Sequence, residues 1–177
     1  MSITTTELII GILIALTLGG ILAYVFYRQR KEAGMQSSNE PPKAEQYALN
    51  LQVQAYERLI LLADRIALPN LIARVNQPGT TARDMQYLLT NTIRQEFEHN
   101  ITQQIFVSSE AWDAVRNLKE QNIHIINQVS AFLPESASGL DLNKNLLDML
   151  VKNPKASLHE VVAEVLSYEA KKVMKLT

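Results

Sequence analysis

Glu96-Phe97-Glu98-His99 sets a carboxylate and an imidazole one helical turn apart. Glu-x-x-His is the half-motif with which ferritin-like four-helix bundles hold a pair of metal ions. Such a site also needs a second copy of the motif and two inward carboxylates from other helices. The sequence offers no second copy, because Glu120 and His124 stand four residues apart. At about 100° per residue, His99 falls roughly 200° around the helix from Phe97, whose apolar neighbours mark the buried stripe. His99 is therefore expected on the solvent side, and no metal ligand set is expected. The alternative kept open is a helical-bundle metal protein or enzyme with dispersed Glu and His ligands.

The other reactive side chains have plainer explanations. His124 lacks a partner at useful spacing, and His159 falls in the first turn of a helix, ahead of Glu160, where solvent is expected to hold it. Ser108 and Ser109 sit outside any Gly-x-Ser-x-Gly elbow, and Ser109 is expected to cap a helix instead. No Gly-rich phosphate loop of the dinucleotide or Walker type occurs. There is no Cys, which excludes thiolate zinc sites, iron–sulfur clusters, disulfides and a thiol nucleophile. No catalytic residue, cofactor or small-molecule substrate is expected.

A polar and aromatic stretch remains, Glu96 to Trp112, EFEHNITQQIFVSSEAW. Glu98, His99, Asn100, Gln103 and Gln104 crowd two turns, and helix propensity alone would not select Asn100 or Thr102. These five are the candidate partner-binding residues. An ordinary solvated face beside a core Trp would give the same pattern.

From Ala44 onward the apolar residues repeat at helical period, so the fold class expected is all-α. A first helix over about 44–68 carries Leu49, Val53, Tyr56, Ile60, Ala63 and Ala67. Leu59, Leu61, Leu62 and Ile66 widen that stripe, which predicts a central helix buried on more than one side. Pro69 opens a short turn or helix with Leu71, Ile72 and Val75, and Asn76-Gln77-Pro78-Gly79 signals a loop. Thr81-x-x-Asp84 resembles a capping box and opens a helix to about Val107, with Met85, Leu88, Leu89, Ile93, Phe97, Ile101 and Ile105 on its stripe. A helix over about 110–133 follows, with Trp112, Val115, Leu118, Ile126, Val129 and Phe132 in line, and then one over about 141–152 with Leu142, Leu146, Leu147 and Leu150. Ser157-x-x-Glu160 caps the last one, which is expected to bury Leu158, Val161, Val162, Val165, Leu166 and Val173. Short connections favour a compact antiparallel bundle of four to five helices over residues 44–177.

Ahead of it, Leu8 to Tyr27 is uncharged, with Glu7 on one side and Arg28, Arg30 and Lys31 on the other. A run of roughly 20 apolar residues rises about 30 Å, the hydrocarbon thickness of a bilayer. An N-terminal transmembrane helix is therefore expected within residues 1–31, uncleaved and in contact with the lipid bilayer through residues 8–27. Basic residues follow the span and none precedes it, which places the N-terminus outside and the helical domain in the cytoplasm, at the inner membrane. Gly11, Ala15, Gly19 and Ala23, four apart, form a candidate packing face for a second membrane helix. Residues 32–43, EAGMQSSNEPPK, read as a flexible linker.

Seventeen Lys and Arg balance 18 Asp and Glu across 177 residues, a formal net charge of −1. That balance argues against nucleic acid, which is held through basic surfaces. The expected function is thus a membrane-tethered, non-catalytic helical module that binds a protein partner or itself, as an accessory or scaffold subunit of a larger assembly.

The segments LPNLIARVNQPGTTARDMQYLL and TIRQEFEHNITQQIFVSSEAWDAV, with the apolar N-terminus, resemble an uncharacterised family of short single-pass bacterial membrane proteins. The resemblance covers roughly residues 1–130. It implies an anchored helical domain and carries over no catalytic or binding residue.

Overall fold

The structure is a computed structural model, and it describes residues 19–31, 43–153 and 158–175. Its contacts divide the chain into two compact units, 1–46 and 47–177. In the first unit, residues 19–31 are helical.

The expected transmembrane helix is overturned. Among the described residues no helix is long and apolar enough to cross a membrane. The described helix runs from Gly19, and its uncharged part ends at Tyr27, before Arg28, Arg30 and Lys31. Nine residues rise only about 13 Å, less than half of a hydrocarbon core of about 30 Å. The sidedness inferred from the flanking charges loses its basis with the span. Residues 8–18 lie outside the described residues, as do Gly11 and Ala15 and the 32–42 part of the expected linker. Gly19 and Ala23 are exposed on the described helix, and open space surrounds the position of a Gly19 side chain.

The helices that follow are α1 (Lys43–Ile66), α2 (Leu68–Val75), α3 (Ala82–His99), a 3-10 helix (Ile101–Ile105), α4 (Ser109–Ala131), α5 (Gly139–Lys152) and α6 (His159–Val173). Apart from one isolated bridge, Thr81 to Ser138, the described secondary structure is helical. Counting the short α2, that makes six α-helices among the described residues from 43 onward, against the four to five expected there.

Helix α1 buries only its second half. Tyr56, Leu59, Leu62, Ala63 and Ile66 enter the core, whereas Leu61 points outward, so the helix is covered on one side and not on several. Pro69 in the first turn of α2 supplies a preset φ where an amide would have no helical acceptor. Gly79 takes φ 83° in the turn before α3, the left-handed region that costs glycine nothing.

Thr81 caps α3, its hydroxyl accepting from the Asp84 amide at 3.1 Å while donating to the Asp84 carboxylate. Met85, Leu89, Ile93 and Phe97 line the buried face. The two ends of α3 and α4 fix their antiparallel pairing. At one end Gln86 bonds Asn127 and Ser130, each at 2.9 Å. At the other, the Phe97 and Trp112 rings meet with centroids 5.0 Å apart and planes tilted by 37°, and the Lys119 ammonium lies 4.5 Å from the centre of the Phe97 ring. Helix α5 packs on both α3 and α4, α6 packs on α4, and α2 lies against α3 and α5.

The starts of α3 and α5 are fastened through backbone. The Ala82 amide donates to Ala137 O at 2.9 Å, and the Gly139 amide to Thr80 O at 2.8 Å. A full capping box follows, in which Ser138 and Asp141 each satisfy the other's amide. These bonds hold the exposed Asp141 carboxyl below the usual carboxylate range. The expected cap at Ser157 lies outside the described residues, and α6 starts from Leu158 with no side-chain cap. Val161 and Val165 are exposed, while Val162, Leu166 and Ala170 carry the packing of α6.

Candidate functional site

The expected α3 stops eight residues short of Val107, and Asn100 is the cause. Its side-chain amide donates to Glu96 O at 2.9 Å, and its backbone sits at φ −108° and ψ 6°. The chain then tightens into the 3-10 helix, with about three residues per turn instead of 3.6. Ile101 and Ile105 are thereby swung off the buried stripe where the apolar period put them. Ile105 is 73% exposed, and Ile101 and Gln104 beside it are also exposed.

This corner separates the five candidate contact residues. Glu98, His99 and Gln104 face solvent. His99 Nδ1 lies 2.9 Å from Gln95 O; a carbonyl only accepts, so Nδ1 carries the proton. Asn100 is half-buried and occupied as the helix terminator. Gln103 is only 8% exposed and its amide is turned toward Thr102, so it lies beneath the surface it was expected to share.

Glu96 is also committed. Arg65 of α1 grips its carboxylate with two parallel bonds, one of them 2.9 Å from Nε, and Arg74 of α2 adds a third at 3.2 Å. The hydrogen bond from Arg65 holds the Glu96 carboxyl below its usual range, against the opposing effect of partial burial. A metal at Glu96-x-x-His99 would have to displace two guanidinium groups. Among the described residues no three His, Asp or Glu side chains gather as a ligand set.

Next to the corner, Ser108 caps α4 where Ser109 was expected. Ser108 has the extended backbone of a cap, and its hydroxyl accepts from the Ala111 amide at 3.1 Å. Ser109, one residue inside the helix, can only reach its neighbour Glu110.

The Ser108 hydroxyl donates to Glu169 Oε2 on α6 at 2.5 Å. The buried Tyr56 hydroxyl of α1 donates to the same oxygen at 2.8 Å and accepts from the Ser108 amide at 3.2 Å. Three elements thus meet at one carboxylate, set at the N-terminal end of α4 where the helix dipole favours negative charge. Burial pushes the Tyr56 hydroxyl above its ordinary pKa. The Ser108 hydroxyl donates its hydrogen bond to Glu169 and accepts one from the Ala111 amide. The cluster clasps α1, α4 and α6 together through these bonds.

Tyr56, Ser108 and Glu169 form the floor of an open cavity of about 680 Å³, with Ile105, Phe106 and Lys172 on its rim. Tyr56 was legible only as a stripe residue, and Glu169 carried no signal at all. The cavity comes from pairings 52 to 113 residues apart, which no local pattern encodes.

Fold and site together define an all-helical domain with a polar clasp at the floor of a surface cavity. The chain belongs to a family of unknown function, DUF7935, whose model matches residues 3–173. That span takes in the last two helices as well as the motifs that carried the resemblance. No curated protein and no solved structure matches the chain.

Proposed function

We propose that this chain is a non-catalytic helical module that binds another protein through the corner between α3 and α4, as an accessory or scaffold subunit of a larger assembly. One observation carries this reading. The helix break at Asn100 presents Ile101 and Ile105 to solvent beside Glu98, His99 and Gln104, with Ile105 on the rim of a roomy cavity. An exposed apolar anchor ringed by polar groups next to a concavity is the usual anatomy of a protein contact. The clasp beneath it fixes the shape of the cavity and does no chemistry of its own.

A photo-crosslinking residue placed at Gln104 or Ile105 in cells tests the reading, with Gln128 on α4 as the reference position. A discrete adduct at 104 and 105, absent at 128 and lost with Glu98→Ala, His99→Ala and Ile105→Glu combined, is expected. Equal labelling at all three positions would remove the corner as a contact surface.

A further inference from the structure

A second surface stands apart from the corner at Ile105. Helix α5 buries Gly139, Leu142, Asn143 and Leu146 on its inner face. Its outer face is apolar too: Leu140 is 70% exposed, Leu147 37% and Val151 78%. At about 100° per residue these three lie within roughly 40° of one another, a straight stripe along the helix. Lys144 and Asp148, both exposed, follow one edge of that stripe. Beside it runs a groove of about 410 Å³ between α2 and α5, walled by Ile72, Ala73, Leu140 and Leu147.

The order Leu140, Lys144, Leu147, Asp148, Val151 complements itself when read in reverse. We propose that this face pairs with the same face of a second copy of the chain, α5 against α5 and antiparallel, about a two-fold axis level with Leu146. A two-fold axis across an antiparallel helix pair keeps each flank on its own side. Lys144 of one copy therefore meets Asp148 of the other, and the reverse pair forms on the same flank. With a rise of 1.5 Å per residue, Leu140 falls about 1.5 Å from the level of the partner's Val151, and the two Leu147 side chains are offset by about 3 Å at the axis. Apolar groups meet apolar groups, and each charge meets its opposite. A two-fold parallel pairing would instead carry the charges of the two copies to opposite flanks, where neither Lys144 nor Asp148 meets its opposite. The complementarity of charge selects the second copy over an unrelated helix, and it selects the direction. This surface is separate from the corner at Ile105, so either contact can hold without the other.

The chain contains no Cys, which permits single-cysteine crosslinking in the full-length protein. Leu147→Cys is expected to give a covalent dimer under mild oxidation, while Gln128→Cys on α4 gives none. Leu140→Cys mixed with Val151→Cys should crosslink better than either variant alone, which reports the antiparallel register. Reversing one charge, Lys144→Asp, sets like charges opposite one another and should weaken the Leu147→Cys crosslink ~10-fold or more. Adding Asp148→Lys to it should restore the yield. Crosslinking at 147 no better than at 128, or a double reversal that does not recover, would overturn the proposal.

Discussion

The side-chain amide of Asn122, buried within α4, donates to the backbone carbonyl of Ile66 at 2.7 Å. Ile66 ends α1, where carbonyls have run out of amides further along their own helix. Asn122 thus supplies from a neighbouring helix what the sequence around Ile66 cannot, and it ties α1 to α4. Asn122→Leu keeps the volume and leaves a buried carbonyl unpaired, at a cost of ~1–3 kcal/mol. Urea unfolding should show a lower midpoint with an unchanged slope. An unchanged midpoint would mean that water reaches that carbonyl.

Gly139 is needed for its lack of a side chain. A Cβ there would stand 2.5 Å from Thr80 Oγ1 and 3.0 Å from Met85 Cβ. Gly139→Ala should destabilise the domain by ~1–3 kcal/mol, the usual penalty of overpacking. Thr80→Ala added to it should recover part of the loss, since one of the two clashes is then removed. Full additivity of the two changes in thermal unfolding would contradict the contact.

The Arg65–Glu96 pair gives the acid limb of stability a defined direction. The Glu96 carboxyl is held below its ordinary value of 4.5 by the bond from Arg65, so the unfolded chain takes up the proton first. The contribution is complete above that ordinary value and is lost as pH falls through the lower folded-state value. Glu96→Gln should flatten the stability profile in that acid window. Because the Arg65 side chain is 43% exposed, salt should weaken the same limb in the wild-type protein. An acid limb identical in the two proteins would rule the pair out as its source.

Tyr56 acts at the other end of the scale. Burial raises its pKa above the ordinary 10.0, with smaller opposing and reinforcing effects from Ser108 and Glu169. Its contribution is complete below the ordinary tyrosine range and is lost as pH rises through the folded-state value. The ultraviolet difference titration between wild type and Tyr56→Phe should isolate one late-ionising tyrosine among the chain's six. Losing the hydroxyl should cost ~0.5–1.5 kcal/mol at neutral pH. A difference titration centred at 10.0 would contradict a buried phenol.

What the amino-acid order made legible was periodic and local. Met85, Leu89, Ile93 and Phe97 lie where a 3.6-residue repeat puts them, Thr81 caps where a hydroxyl three residues before Asp84 should, and Pro69 opens α2. Periodicity failed where a side chain interrupts it. Ile105 and Phe132 continue the apolar repeat, but Asn100 breaks one helix and the other ends at Ala131, so both side chains face solvent. Leu61 and Leu147 show the same limit from another side, since a wide stripe does not say which of its edges a neighbour will cover. The cap moved from Ser109 to Ser108 because Glu169 and Tyr56, both distant in sequence, hold Ser108 in place. The N-terminal reading failed for a reason of extent. Hydropathy supplied a run of membrane length, and the described helix has only its last apolar turns before the charges.

The backbone fastening of Thr80 and Ala82 to Ala137 and Gly139 implies an order of assembly. It closes a loop that contains all of α3 and α4. Closing such a loop in an open chain carries an entropic penalty that grows with its length. Once α3 and α4 have paired through their short connection, Gln86 already lies beside Asn127 and Ser130, and the two ends are neighbours before they bond. The helical hairpin is thus expected to form first, with α5 locking on afterwards. A change at the lock should then act on escape and not on entry. In stopped-flow measurements Gly139→Ala is expected to speed unfolding and leave refolding nearly unaltered; slowed refolding would place this backbone fastening in the nucleus instead.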